Sequence, residues 1–397
     1  MTVISERNLP KVAIVHPMVS WYRLPLFRQL ARIYPNTVVL FTQSNRLPIY
    51  SHEKVRVNKP KGFNSKLFPS YKLFPPPYPQ EVTPGIIFEL IRGKYHAVLW
   101  GESLVSIEAL FIFLMCKILR EPLILWIDEW GMPKPFLRRL IDPVIRFMIT
   151  HSSAVIAHGK KHYKYFRKLG LAKEKIFVTG SVSWITPTKK DYEMAEMLSN
   201  KFKGRKILYV GGLVERKGVK YLIEAFAKLV KENGDLHLWI VGDGPEKDPL
   251  IDLVKRLGLE GKITFFGWID HSRVAPFYLA ADVFVLPSWN EPWGLVINEA
   301  MSVGKPVITT YEVGSCLDLV KDGINGFIVP PKNSTALYNA MKKIISSESL
   351  TKDMGEKSLK IVKSYTYERM ALGFLRAILY AFDVKEGREP KGAIRSC

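Results

Sequence analysis

Cysteine is scarce in this chain of 397 residues. Cys116, Cys316 and Cys397 are far apart, so no disulfide framework and no zinc spacing can be built from them, and a reducing compartment is expected. Long apolar runs are missing as well. The most lipophilic stretch, "SLVSIEALFIFLMCKILREPLILWI", is broken by Glu108, Lys117, Arg120 and Glu121, and its uncharged core falls far short of the ~20 residues a spanning helix needs. It reads as a buried helix followed by a core strand. The opening "MTVISERNLPKVAIVHP" has no basic segment ahead of a long apolar one, so no signal peptide is expected. Low-complexity tracts and solenoid-length repeats are absent too.

Acidic residues are thin in one half only. Residues 1–190 hold 29 Lys and Arg against 11 Asp and Glu, a net +18, whereas residues 191–397 hold 29 against 26, a net +3. So one-sided a field implies an anionic partner for the first half: phospholipid, a phosphorylated acceptor or nucleic acid. Lys160, Lys164, Arg167 and Lys168 of "HGKKHYKYFRKLG" share one helical face and are candidates for contact with anionic lipid; a simply solvated face is the other reading. No helix-turn-helix, RRM or zinc pattern supports nucleic acid.

What is present in abundance is alternation. Short β-branched runs at 11–17, 36–42, 96–100, 122–128, 153–159 and 175–180 alternate with amphipathic stretches, and a second set follows at 205–212, 235–244, 262–267, 282–288, 305–310 and 326–331. The pattern predicts two doubly wound α/β domains, 1–187 and 188–365. A helix over 366–385 is expected to cross back to the first domain, with a flexible tail over 386–397. Residues 52–82, rich in proline, lysine and aromatics without periodicity, read as a long loop that could join Trp21, Tyr22 and Arg23 in an acceptor mouth.

Several motifs carry chemistry. In "ILYVGGLVERKGVKYLIEAF" a strand feeds Gly211 and Gly212, then Arg216 and Lys217, then a helix; free N–H groups, a helix start and a lysine point charge suit a phosphate. Gly242 and Gly244 of "IVGDGPE" permit a tight turn and close ligand approach, or serve as a plain β–α turn. In "PSWNEPWGLVINEAMSVG", Pro292 suits a first helical turn, which predicts a helix from about Glu291 to Val303 with Gly304 as its stop. On such a helix Glu291 and Glu299 stand about 12 Å apart along the axis. A hydrolytic carboxylate pair needs about 5–9.5 Å, so two separate anchors fit better than shared acid–base work. Helix-dipole charge and an interior salt bridge remain a structural alternative.

Taken together, the run from "YVGGLVERKGVKYLIEAF" through "LHLWIVGDGPE", "ITFFGWID" and "WNEPWGLVINEAMSVGKPVITT" to "VKDGINGFIVPP" resembles the nucleotide-sugar-binding domain of retaining glycosyltransferases of family 4. The resemblance is continuous over about 205–345 and looser before it. It implies the GT-B fold, two Rossmann-like domains facing a cleft, and retaining transfer from a UDP, GDP or ADP sugar without metal; no cofactor is implied and no Asp-x-Asp triplet occurs. By position it implies that Glu291 faces sugar hydroxyls and Glu299 the ribose. Lys217 would neutralise the leaving diphosphate, N–H groups of Trp293, Gly294 and Leu295 would lie by sugar or diphosphate, and Gly267, Trp268 and Ile269 would meet the base. The proton from the acceptor can go to the leaving phosphate.

Three departures from the family pattern stand out. Gly211–Gly212 replaces the usual Gly-Arg, with Arg216 as a substitute; "HPMVSWYR" replaces a glycine-rich loop; Asp128, next to Glu129, stands where a histidine is common. Asp128 is therefore a catalytic candidate or a turn carboxylate. Of His16, His151, His158 and His162, only His16, at a strand end expected to face the cleft, is carried as a binding candidate beside Arg23. The leading expectation is a transferase peripheral to the cytoplasmic membrane face, acting on glycolipid, lipid-linked or polysaccharide acceptors. A basic binding protein on a degenerate fold and a nucleotide-sugar epimerase are the alternatives. A dehydrogenase is set aside because no G-x-G-x-x-G follows the first strand.

Overall fold

The computed structural model describes residues 9–17, 19–43, 60–72, 81–101, 103–128, 130–131, 139–232 and 235–389. The chain divides into two compact units, residues 1–181 with 366–397, and Val182–Tyr365.

The first unit is built on a parallel sheet. Its strands are β1 (Val12–His16), β2 (Thr37–Gln43), β3 (Ser65–Pro69), β6 (Ala97–Trp100), β7 (Leu123–Trp126), β8 (Ala154–Ala157) and β9 (Ile176–Val178), in the order β3-β2-β1-β6-β7-β8-β9; β4 (Tyr71–Lys72) and β5 (Glu81–Val82) pair separately. All six sequence-predicted strands form. The seventh, β3, lies inside the stretch 52–82 read as a loop, of which residues 52–59 and 73–80 fall outside the described residues. An edge strand carrying Pro69 and exposed lysine has no apolar alternation to betray it.

Helices α1 (Leu24–Ile33), α2 (Pro84–Arg92), α3 (Ile107–Ile118), α4 (Asp142–Thr150) and α5 (Lys160–Lys168) connect the strands. Ile86 and Leu90 of α2, Ile112 and Phe113 of α3, Ile145 and Met148 of α4, and Phe166 of α5 belong to one core cluster with Val15, Val98, Leu125 and Val155. Right-handed crossovers put these four helices in one layer on the same sheet face. The expectation that α3 is a buried helix is corrected: Ala109, Ile112, Phe113 and Cys116 are buried, but Leu110, Phe111, Leu114 and Ile118 are exposed.

The second unit holds β10 (Arg205–Val210), β11 (Leu236–Val241), β12 (Ile263–Gly267), β13 (Val283–Leu286), β14 (Val307–Thr310) and β15 (Gly326–Val329), all parallel, in the order β12-β11-β10-β13-β14-β15. Each strand matches an expected one. Its helices are α6 (Lys189–Lys201), α7 (Val219–Glu232), α8 (Lys247–Arg256), α9 (Ala275–Ala280), α10 (Leu295–Ser302), α11 (Cys316–Leu319), α12 (Ser334–Ile345) and α13 (Glu348–Val362). Fully apolar strands such as "ILYV" are buried on both faces by these helices, as a parallel sheet requires.

The last helix, α14 (Tyr367–Lys385), belongs to the first unit. There Phe374 packs edge-on against Trp126 at 4.8 Å, Tyr380 against Phe177 at 5.5 Å, and Tyr367 donates to the Tyr22 carbonyl at 3.1 Å. Of the predicted tail, residues 390–397 lie outside the described residues.

Candidate donor site

Ligands of open α/β sheets bind beyond the carboxyl ends of the strands, where the order reverses. In the second unit that reversal falls between β10 and β13, the strands that lead into Gly211 and Pro287. Three turns converge there. After β10, the Gly211 N–H donates to the Val241 carbonyl, and after β11 the Gly242 N–H donates to the Gly267 carbonyl at 2.7 Å, so strand pairing outlasts the strands. A Cβ on Gly242 would stand 1.9 Å from the Gly211 oxygen, at φ +145°. Gly242 is thus demanded by backbone packing, and the turn role is sufficient to explain it. Gly244 is crowded in the same way by the Leu213 oxygen at 2.4 Å, and the Gly212 carbonyl accepts from the Tyr209 hydroxyl at 2.9 Å. Gly267, at the end of β12, has open space on its Cβ side; beyond it Trp268 is exposed and Ile269 rests on the core.

Arg216 and Lys217 sit on a short 3-10 turn, Glu215–Lys217, locked to the segment after β13. The Trp289 N–H donates to the Arg216 carbonyl at 2.9 Å and its indole N–H to the Glu215 carbonyl at 3.0 Å. This pins Lys217 against Glu291: Nζ is ion-paired with Oε2, and the Arg216 guanidinium reaches the same oxygen at 3.3 Å and the Asn290 carbonyl at 2.9 Å. The Glu291 and Lys217 side chains are only 11% and 13% exposed. One carboxylate is therefore faced by two cations in a low-dielectric corner, where their charge is poorly screened.

The helix expected from Glu291 to Val303 is corrected. α10 spans Leu295–Ser302, with Gly294 as its N-cap at φ +88°. Glu291 lies outside it and pairs like a strand residue: its N–H donates to the Glu312 carbonyl and its carbonyl accepts from Gly314. The axial separation derived from a continuous helix accordingly does not apply. Trp293 is buried, its indole N–H on Asn298 Oδ1 at 2.9 Å and its carbonyl accepting from the Ser315 N–H and hydroxyl. These bonds orient the start of α10, where Leu295 and Val296 carry first-turn N–H groups.

Glu299 lies inside α10 and is 4% exposed. Ser183 donates to its Oε1 at 2.7 Å, Tyr278 to its Oε2 at 2.9 Å, and His271 Nε2 stands 3.3 Å from Oε1. Burial first, then the Glu299 charge, drives the Tyr278 hydroxyl well above its ordinary range, which keeps it a donor. Ser183, Tyr278 and His271 were not singled out in the sequence; their separations from Glu299 along the chain give no local signal.

In the first unit, His16, Arg23 and Asp128 gather around Trp126. The Arg23 guanidinium lies over the Trp126 ring at 4.4 Å and the His16 ring 5.4 Å from it, both residues buried. Asp128 follows β7 and pairs through Oδ1 with Nε2 of His158, whose Nδ1 is 2.5 Å from the Ser181 hydroxyl. Desolvation opposes the charge on Asp128, but His158, Arg23 and His162 hold its carboxyl far below the usual carboxylate range. Its neighbour Glu129 is outside the described residues. Exposed Lys160, Lys164, Arg167 and Lys168 do share the outward side of α5.

Among the described residues no group of three His, Cys, Asp or Glu side chains could hold a metal ion. A cavity of about 400 Å³ near Arg205, Asp282, Lys305 and Glu348 opens at the opposite, amino-terminal end of the second sheet. It lies apart from the turns at the carboxyl ends of the strands.

Residues 194–361 match the family model described as glycosyl transferases group 1. The lipopolysaccharide core biosynthesis glycosyltransferase LpsE of Rhizobium meliloti is 35% identical over 173 residues, 43% of this chain and 49% of LpsE, so the match spans about half of that relative. The alpha-D-kanosaminyltransferase of Streptomyces kanamyceticus is 26% identical over 279 residues, 67% of this chain and 71% of that protein. Among solved structures, Anabaena HepE in complex with UDP and glucose superposes with a TM-score of 0.71 at 18% identity, covering 93% of this chain and 99% of HepE. Sucrose-phosphate synthase from Thermosynechococcus elongatus gives 0.74 at 20% identity, covering 95% and 100%. Two parallel-sheet Rossmann-like domains are thus the fold class shared with these GT-B proteins. The chain carries, over residues 194–361, a domain of the glycosyl transferases group 1 family.

Proposed function

We propose that this protein is a retaining glycosyltransferase that moves a sugar from a nucleotide-diphosphate sugar to a glycolipid, lipid-linked or polysaccharide acceptor at the cytoplasmic face of a membrane. The observation that carries the reading is the corner where Lys217 and Arg216 meet Glu291 beside the start of α10. Two cations and a set of helix N–H groups are a receptor for a diphosphate that gains charge as the bond from sugar to phosphate breaks. Their positive charge makes the reading metal-independent.

In this mechanism the diphosphate competes with Glu291 for Lys217. Glu291, released from its ion pair, turns both oxygens to the hydroxyls of the donor sugar and fixes its position. Glu299 accepts from the ribose hydroxyls, its orientation preset by Tyr278 and Ser183. The turn over Gly267, Trp268 and Ile269 meets the base. The leaving phosphate takes the proton of the acceptor hydroxyl as the new glycosidic bond forms. Asp128, kept ionised, is the candidate on the acceptor side, with His16 and Arg23 beside it. That LpsE and the kanosaminyltransferase are both named as sugar transferases supports sugar transfer as the reaction class.

The test is thermal unfolding with UDP, GDP and ADP in the presence of a chelator. One of them is expected to stabilise the protein by about 2.7 kcal/mol at a hundredfold excess over its Kd. Lys217→Ala should erase most of that shift, whereas Glu291→Gln should keep it and abolish transfer. No shift with any diphosphate would overturn the donor assignment, and an inverted anomeric centre in the product, read by NMR, would overturn retention.

A further inference from the structure

Apart from Glu108 and Lys117 near its ends, helix α3 is apolar on both its inner and its outer side. Its inner residues fill the core of the first unit, and its outer ones, Leu110, Phe111, Leu114 and Ile118, follow one another at spacings of one, three and four residues along the outward face, 39%, 58%, 47% and 80% exposed. The pattern continues onto α4, where Val144 and Phe147 are 45% and 53% exposed and Phe147 packs edge-on against Phe113 of α3 at 5.9 Å. Water-facing apolar side chains scattered singly need no explanation; a contiguous field across two packed helices does.

The rim of this field is cationic. Lys117 and Arg120 stand exposed at the end of α3, Arg139 just ahead of α4, and Arg92 at the end of α2 in the same layer. The neighbouring acids are neutralised or withdrawn: Glu108 is buried, Asp142 is paired with Arg146 at 2.6 Å, and Glu121 with Lys385 at 2.5 Å. The first unit as a whole carries 33 Lys and Arg against 15 Asp and Glu, a net +18.

We infer that the outer face of α3 and α4 is a docking surface for an anionic lipid bilayer, with Phe111, Leu114, Ile118 and Phe147 entering the acyl boundary and the basic rim resting on phosphate headgroups. Both components that govern interfacial binding, buried apolar area and attraction of cations to anionic lipid, are present on one face. A second copy of the chain is the poorer occupant, because a two-fold interface would set one +18 unit against another. No described helix is long and apolar enough to span the bilayer, which makes the contact peripheral. The inference rests on the membrane part of the proposed function and is independent of the transfer chemistry. It also moves the principal lipid contact from the basic face of α5 to α3 and α4.

The test compares the full chain with the double variant Phe111→Glu, Leu114→Glu in sedimentation with phosphatidylglycerol vesicles and with phosphatidylcholine vesicles. The wild type is expected to pellet with the anionic vesicles, less so as salt rises, and only weakly with the neutral ones. The double variant should lose at least about tenfold in affinity. Far-UV circular dichroism melting establishes that it is folded, since both positions are exposed. Equal binding by variant and wild type, absence of binding to anionic vesicles, or a wild-type dimer that the variant dissociates would each overturn the inference. Vesicle binding without any nucleotide-induced shift in melting would instead sink the transferase reading and leave the surface intact.

Discussion

His162, in the first turn of α5, is completely buried, its ring 5.4 Å from that of His158. Burial, and then the neighbouring His158 charge, push its pKa down to about 3. Folding therefore requires a neutral imidazole, while the unfolded chain takes up a proton near pH 6.5. The stability this group contributes is complete above pH 6.5 and is lost as the pH falls toward 3, at up to about 1.4 kcal/mol per pH unit. Asp128 adds a loss in the same direction, but only in the ordinary carboxylate range and below. Denaturant midpoints measured between pH 7 and pH 5 should thus fall in the wild type and flatten in His162→Asn, whose side chain is neutral throughout. Parallel curves for the two proteins would show that His162 is not the group responsible. At this scale the sequence exposed some of the site and hid the rest. Arg216, Lys217 and Glu291 stood out because a glycine turn, a cation pair and a Pro-flanked carboxylate are local signals. Ser183, Tyr278 and His271 reach Glu299 from separate parts of the chain, and only tertiary packing brings them together.

Among elements, strands were more legible than the turns after them. A parallel strand buried on both faces announces itself as an unbroken apolar run, which is why all six strands of the second unit were located. The start of α10 was misplaced for an equally physical reason. Pro292 does favour a first helical turn, but Glu291 finds its backbone partners at Glu312 and Gly314, and Gly294 at φ +88° cannot continue a helix. The glycine turns separate in the same way once the backbone is seen. Gly242→Ala brings a Cβ to 1.9 Å from the Gly211 oxygen, a backbone atom that cannot swing aside. Gly267→Ala meets nothing within 4 Å and bears only the strain of φ +70°. The first substitution should cost about 3 kcal/mol or more and the second about 1 kcal/mol, read from denaturant midpoints. If both cost the same, the close approach of the β10 and β11 turns is not what selects glycine at 242.

For the molecule as a whole, the two units differ in how the chain builds them. The second is continuous from Val182 to Tyr365 and owns its core, from Leu208 and Trp239 in the sheet to Phe226 and Ile344 in the helices. The first is assembled from both ends of the chain, and α14 supplies Phe374 against Trp126 and Tyr380 against Phe177. Deleting residues 366–397 strips those aromatic contacts from β7 and β9, and each large aromatic lost from such a core costs about 3–5 kcal/mol. A marginally stable domain does not survive that loss. The fragment 182–365, expressed alone, is therefore expected to unfold cooperatively, whereas the fragment 1–181 should be molten or aggregated until α14 is restored. Circular dichroism and calorimetry of the two fragments decide the matter: a cooperative transition in 1–181 would show that α14 merely decorates the first unit. Nucleoside diphosphate added to 182–365 carries the comparison to function. Because Lys217, Glu291 and Glu299 all lie within that fragment, its melting temperature should rise with the same diphosphate that stabilises the full chain, and a response confined to the full chain would mean that the donor site needs residues of the first unit.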